Sequence, residues 1–191
     1  MIKTCALFSG SSGNSIFVSS RCKNETIFSK VNSGSLGKGT GILVDSGMSG
    51  RQMQSAMNDI GETLENICGL LITHEHIDHM RGVGVLARRY KIPVYVNMMT
   101  WEKMKKMQIG AIPENLLNII DNSRDFAIGD FLIKSIKTPH DAADSHGYRL
   151  TTGRETVTVL TDIGHIDEEI LKSAKGSDAI YIESNYDKKM L

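Results

Sequence analysis

The run Thr73-His74-Glu75-His76-Ile77-Asp78-His79 places three imidazoles and the Asp78 carboxylate within six residues, directly after the apolar stretch Gly69-Leu70-Leu71-Ile72. An apolar stretch without alternation predicts a strand buried on both faces, and α/β proteins collect their functional polar residues where such strands end. Cys68 to Thr73 is therefore read as a central strand that delivers the polar run at its carboxyl end. Imidazole nitrogen and carboxylate oxygen are ligands for zinc and similar ions, with bonds of roughly 2.0 to 2.2 Å. Ligands this closely spaced on a rigid turn converge with little ordering cost, so the run predicts a metal site.

The spacing resembles the HxHxDH signature of the metallo-β-lactamase superfamily. That resemblance implies an α/β (α+β) fold, an αββα sandwich of two mixed β-sheets flanked by helices, with one or two metal ions at the ends of the sheets. It also implies that His74 and His76 hold the first ion and that Asp78 and His79 hold the second.

A chain of 191 residues is one domain of ordinary size, able to bury a core without metal staples, so residues 1–191 are read as one domain and the metal as functional. Cys5, Cys22 and Cys68 are odd in number and lack CxxC spacing, which supports neither a disulfide framework nor a zinc ribbon. The run Cys5-Ala6-Leu7-Phe8 near the start is too short for a signal-peptide core or a membrane span. These features predict a cytoplasmic protein with no membrane partner. Formal charge balances at 22 basic and 22 acidic residues, but not locally. Between positions 81 and 106, Arg81, Arg88, Arg89, Lys91, Lys103, Lys105 and Lys106 face only Glu102, a distribution that favours a polyanionic substrate such as DNA. Solvated helix faces would give the same composition.

Ile2 to Phe8 and Ile16 to Ser19 read as strands around a Ser/Gly-rich turn, and Arg21 to Gly41 as an exposed polar extension. Gly41 to Asp45 reads as a buried strand, and Ser49-Gly50-Arg51-Gln52 as a capping box opening a helix that runs to Gly61. A helix over Val83 to Tyr90, a strand over Val94 to Val96 and a helix over Met99 to Met107 follow, with Met98, Met99, Met104 and Met107 expected to pack in the core or a groove. Phe126 to Ile133 reads as a hairpin turning at Gly129-Asp130, and Gly147 to Thr152 with Thr156 to Thr161 as a second meander. Asp167 is expected to cap a helix ending near Gly176, and Asp178 to Glu183 to form a last strand. Two sheets with helices outside satisfy this order.

His140 follows the strand Ile133 to Thr138 and is expected as the third ligand of the first ion, with Asp141 orienting an imidazole through its other ring nitrogen. Asp162 ends the strand Val157 to Leu160, where a carboxylate can bridge two ions, as this position does in the superfamily; its bland role is to cap the loop at Gly164. A bridged ion pair lowers the pKa of the water between them and yields a hydroxide nucleophile near neutral pH. Asp45 is expected either to stand behind a ligand or to structure its loop, and His146 and His165 to be solvent-exposed.

Beyond the superfamily signature, Ser9 to Ser15, Ile42 to Gly47, Thr73 to His79, Gly84 to Tyr90, Ser145 to Tyr148, Thr161 to Gly164 and Ile182 to Asn185 resemble the WalJ/YycJ/VicX-type branch. That branch implies a metal-dependent 5′ to 3′ exonuclease on double-stranded DNA, with Zn or Mn as the metal and Asp78 at the catalytic centre. Asn14, Asn185, Arg88, Arg89 and Asp141 are the candidates for contacting substrate or standing behind the ligands. Branch members usually continue past the Glu-Ser-Asn segment to a final histidine ligand. No histidine follows His165 here, and Tyr186 stands where the branch often has one. The resemblance thus implies a chain shortened at its C-terminal end, a second site held by Asp78, His79 and Asp162 alone, and a possible oligomer or partner chain completing it. A thioester or lactone hydrolase and an inactive metal-binding regulatory protein are the competing functions.

Overall fold

The structure, a computed structural model, describes residues 1–20, 39–153 and 155–182. The polar extension from Arg21 lies outside the described residues until Gly39, as do Cys22, Glu183, Asn185 and Tyr186.

Strands β1 (Ile2–Phe8), β2 (Ser15–Ser20), β3 (Gly41–Val44), β4 (Ile67–Leu71), β5 (Val94–Asn97) and β6 (Leu117–Ile120) form one sheet in the order 1-2-3-4-5-6. The first two pairings are antiparallel and the rest parallel. Strands β7 (Phe126–Ile128), β8 (Phe131–Lys137), β9 (His146–Thr152), β10 (Glu155–Leu160) and β11 (Ala179–Ile182) form the other in the order 11-10-9-8-7, antiparallel except for β10 with β11. Helices α1 (Gly50–Asp59), α2 (Ile77–Met80), α3 (Val83–Tyr90) and α4 (Met98–Met104) precede β6, and α5 (Glu168–Ala174) precedes β11. Strand β6 was not anticipated from the sequence, nor was the single turn of α2.

Successive side chains of a strand point to opposite faces, so the unbroken apolar runs require cover on both sides. Ile16, Val18, Ile42, Val44 and Leu71 of the first sheet meet Phe131, Ile133, Tyr148, Leu150, Val157 and Val159 of the second, forming the central layer. Their neighbours Phe17, Leu43 and Leu70 face outward and pack under Met53 and Met57 of α1 and Val83 and Leu86 of α3. A smaller cluster, Ile136, Leu160 and Ile170, seats α5 on the other sheet. The order is helix, sheet, sheet, helix. The Ser49 capping box is present, with its hydroxyl accepting from Gln52 N–H. The methionine stripe divides differently from the expectation: Met104 is fully buried, whereas Met98, Met99 and Met107 are exposed, because α4 ends at Met104 and turns only one face to the core. No helix among the described residues is long and apolar enough to cross a membrane.

Two glycines bring the loops at one end of the sandwich together. A Cβ on Gly47 would lie 1.7 Å from Asp78 O, and one on Gly82 would lie 2.4 Å from both Met48 O and Ser46 Oγ. Across these contacts run the hydrogen bonds Asn14 N–H to Asp78 O at 2.7 Å, Gly47 N–H to Asn14 O at 2.9 Å and Ser46 N–H to His79 O at 2.7 Å. The loops after β3 and β4 and the one before β2 therefore form one rigid rim.

Candidate metal centre

The rim is organised around a buried carboxylate. Asp45, just past β3, has φ of 62°, and this left-handed backbone turns its side chain under the loop that follows β4. Its Oδ1 accepts Thr73 N–H at 2.9 Å, and its Oδ2 accepts the Thr73 hydroxyl at 2.7 Å and His79 Nδ1–H at 2.8 Å. A hydroxyl has a single hydrogen. With that hydrogen committed to Asp45, Thr73 Oγ1 accepts from His74 Nδ1–H at 2.9 Å, and His74 Nε2 is left as a bare lone pair. That nitrogen is buried and has no hydrogen-bond partner. Leaving a buried acceptor unmet costs about 1–3 kcal/mol, so the lone pair calls for a ligand that is not a protein hydrogen. Burial, followed by the neighbouring His79, pushes the His74 pKa down to about 2, which keeps the lone pair free of a proton.

Around His74 the other imidazoles gather. Ring centroids of His76, His79 and His140 lie 4.6, 4.2 and 4.7 Å from that of His74. Two groups have all their ligand atoms within 4.8 Å of one another: His74, His76 and His140, and His74, His79 and Asp162. The first matches the set expected for the first ion. The second joins His79 and Asp162 of the expected set to His74, while Asp78, whose Oδ2 stands 3.6 Å from His79 Nε2, lies beside this group rather than in it. Asp162 follows β10 with φ of 52° and sets Oδ2 2.7 Å from His79 Nε2. Burial alone would lower the His79 pKa, but the Asp45 and Asp162 carboxylates outweigh it and raise it to about 10. The donor chemistry, imidazole nitrogen with carboxylate oxygen and one buried bare lone pair, fits a divalent transition metal.

A family described as the beta-lactamase superfamily domain matches residues 40–191. The chain belongs to this superfamily. Among curated proteins, it is 33% identical over 185 residues to exodeoxyribonuclease YycJ of Bacillus anthracis, covering 97% of this chain and 63% of that protein. It is 32% identical over 190 residues to exodeoxyribonuclease WalJ of Streptococcus pneumoniae serotype 2 strain D39, covering 99% and 64%. The chain therefore spans just under two thirds of the length of these relatives. The solved metallo-β-lactamase fold protein YhfI of Bacillus subtilis superposes with a TM-score of 0.63 at 17% identity, over 94% of this chain and 70% of that one. The subclass B3 metallo-β-lactamase MEM-A1 from a soil metagenome gives 0.60 at 14% identity, over 94% and 78%. At these identities the likeness is one of fold.

Within this β-lactamase-superfamily site, several residues depart from their sequence reading. His146 is buried rather than solvent-exposed: its N–H donates to Thr73 O at 3.1 Å, and its ring lies against Asp144 and Asn122, where burial pushes its pKa down. It braces Thr73 from the second sheet. His165 is exposed, as expected. Arg88 donates to Ala111 O across the loop after α4, and Arg89 lies over the Tyr90 ring at the far end of α3. Asp141 is exposed, with Oδ1 3.3 Å from His140 Nδ1. Gly164 N–H donates to Pro139 O at 2.8 Å, tying the loop after β10 to the one that carries His140. Glu75, given no role by the sequence reading, accepts Ala143 N–H at 2.8 Å and ties the motif to the loop that carries His140. Its position between two ligand histidines was the only available signal.

Proposed function

We propose that this chain carries the hydrolytic site of a metal-dependent phosphodiesterase that degrades duplex DNA from the 5′ end, with zinc or manganese as its metal. The observation that carries the reading is His74 Nε2, buried, bare and shared by two convergent groups of donor atoms. His76 and His140 would complete the nitrogen-rich side of the site, and His79, Asp162 and the nearby Asp78 the oxygen-rich side. A bound divalent cation supplies Lewis acidity and lowers the pKa of water towards neutrality. Asp45, through Thr73 and His79, holds the imidazoles in the tautomers that ligation needs, and Glu75 holds the loop of His140. Asp78 is reachable from solvent, with a quarter of its side chain exposed.

DNA as substrate is supported by the exodeoxyribonuclease names of the relatives and by Arg81, Lys103 and Lys106, exposed cations on the segments that follow the motif. In this reading the protein works in the cytoplasm, a placement that the free thiols of Cys5 and Cys68 support. A thioester or lactone hydrolase is the second reading, favoured by the way Arg88 and Lys105 are held within the chain, on Ala111 O and Glu102. The discriminating assay is cleavage of 5′-labelled duplex DNA with Mn or Zn, beside His76→Ala and Asp78→Ala variants. Release of labelled nucleotide that disappears in both variants and weakens with added salt supports the nuclease. Thioester hydrolysis without DNA cleavage transfers the site to the second reading, and metal binding without turnover on either substrate contradicts both.

A further inference from the structure

Every imidazole nitrogen and carboxylate oxygen turned into the centre can offer a lone pair, yet one side chain among them offers hydrogens instead. Asn14, just before β2, is buried, and its Nδ2 lies 3.0 Å from His79 Nε2 and 3.3 Å from Asp78 Oδ2. Its orientation follows from the hydrogen-bond pattern. Gly10 N–H donates to Asn14 Oδ1 at 3.0 Å and Asn14 Nδ2 donates to the Asp78 carboxylate, and a flipped amide would lose both, setting donor against donor at Gly10 and acceptor against acceptor at Asp78. The main chain of Asn14 is clasped as well, by Asp78 O and Gly47 N–H. The NH2 group is thus fixed towards the centre by three hydrogen bonds, none of which uses its own hydrogens.

An amide NH2 has no lone pair for a cation. His79 and Asp78 would turn lone pairs to an ion, and an N–H donor 3.0 to 3.3 Å from both stands beside the atoms that would hold it and is left to serve an oxygen. Asp78 Oδ2 can accept one of its two hydrogens. The other is not committed to the protein, and Asn14 keeps 8% of its surface exposed and lines a small cleft of about 70 Å³ together with Phe8, Ser9, Ile16 and Thr161. Thr161, another residue of this wall, keeps a buried hydroxyl without a hydrogen-bond partner.

We propose that Asn14 Nδ2 donates to an anionic oxygen of the substrate, which in the phosphodiesterase reading, on which this inference rests, is a non-bridging phosphate oxygen. A donor locked in place before substrate arrives stabilises charge developing on that oxygen without reorganising. A neutral amide suits the position: a lysine would pair with Asp78 and Asp162 and exclude the cation, while a further carboxylate would repel the phosphate. Asn14 is then a catalytic residue, whereas Gly10 and Gly47 are the clasp that aims it.

Asn14→Ala removes both the donor and the acceptor for Gly10 N–H, and Asn14→Asp keeps that acceptor while removing the donor. Three quantities are measured for each: kcat and KM on duplex DNA, affinity of the zinc-loaded protein for inorganic phosphate by calorimetry, and zinc affinity by dye competition. The inference predicts that both variants lose about 10²- to 10³-fold in kcat with little change in KM. It also predicts weaker phosphate binding in both, and zinc affinity no lower than wild type in Asn14→Asp. Near wild-type kcat and phosphate binding in Asn14→Asp would reduce Asn14 to a loop clasp and overturn the inference. Asn14→Asp carries the test even if Asn14→Ala fails to fold. A zinc-loaded wild type that neither cleaves DNA nor binds phosphate would instead overturn the phosphodiesterase reading, and this inference with it.

Discussion

Replacing Asp45 by asparagine should damage metal binding more than replacing it by alanine, although asparagine is nearly its isostere. Thr73 N–H carries a fixed hydrogen and needs an acceptor, so the asparagine oxygen stays at the Oδ1 position and the NH2 group takes that of Oδ2. That group then donates to Thr73 Oγ1 and His79 Nδ1, where the aspartate had accepted from both. Thr73 turns its hydrogen to His74 Nδ1, and both His74 and His79 are left with hydrogen on Nε2, the atom that faces the centre. Restoring either ligating tautomer leaves a buried donor unmet, at about 1–3 kcal/mol for each histidine. Two such costs amount to about 2–6 kcal/mol, and 1.4 kcal/mol is tenfold in affinity, so zinc binding should fall by about 30-fold to 10⁴-fold. Asp45→Ala forces no tautomer and should show the roughly 10- to 100-fold loss typical of removing a group behind a ligand. Competition with a zinc-chelating dye gives the affinities, and the ¹⁵N spectrum of the imidazoles in the metal-free variant reports the tautomers. Asp45→Asn binding zinc as tightly as wild type, or more tightly than Asp45→Ala, would refute the relay through Thr73.

Gly47→Ala should destabilise the protein by about 1–3 kcal/mol, because its Cβ would meet backbone at Asp78 O and Asn14 N rather than a yielding side chain; urea unfolding measures it. Ser49→Ala should cost about 1 kcal/mol by removing the N-cap of α1 while leaving metal affinity unchanged. In the metal-free protein the His79 pKa, raised to about 10, contributes stability that is fully present below its unfolded value near 6.5 and is lost as pH rises through 10. His74, lowered to about 2, acts on the acid side, where stability falls as pH drops from about 6.5 towards 2. The urea midpoint of the chelator-treated protein should therefore decline in both directions, and His79→Gln should abolish the alkaline decline alone.

The strands that carry the centre were legible because their burial is two-sided and their runs are too short for a helix: Leu70 and Leu71 face opposite layers. The Ser49 capping box was legible because its partners are three residues apart. Strand β6 was not, since Leu117–Ile120 is partly exposed and owes its conformation to pairing with β5, a contact made from afar. The same reason hid the work of Asp45, whose partners Thr73 and His79 lie 28 and 34 residues away. His146 is an instance of a lone histidine read by type as solvated, when its backbone position at the start of β9 drives it under Asn122 and against Thr73 O. Arg88 was marked by composition as a candidate contact for DNA, and the carbonyl of the loop after α4 that its guanidinium meets is again a distant partner that composition does not show.

The metal centre itself is tested most directly by equilibrium dialysis of the purified chain against zinc, followed by elemental analysis, with His74→Ala alongside. Because His74 belongs to both convergent groups, the account predicts at least one tightly held zinc per wild-type chain and its loss in the folded variant. Zinc retained by His74→Ala at the wild-type level, or absent from the wild type, would contradict the claim that the bare Nε2 exists to bind a metal.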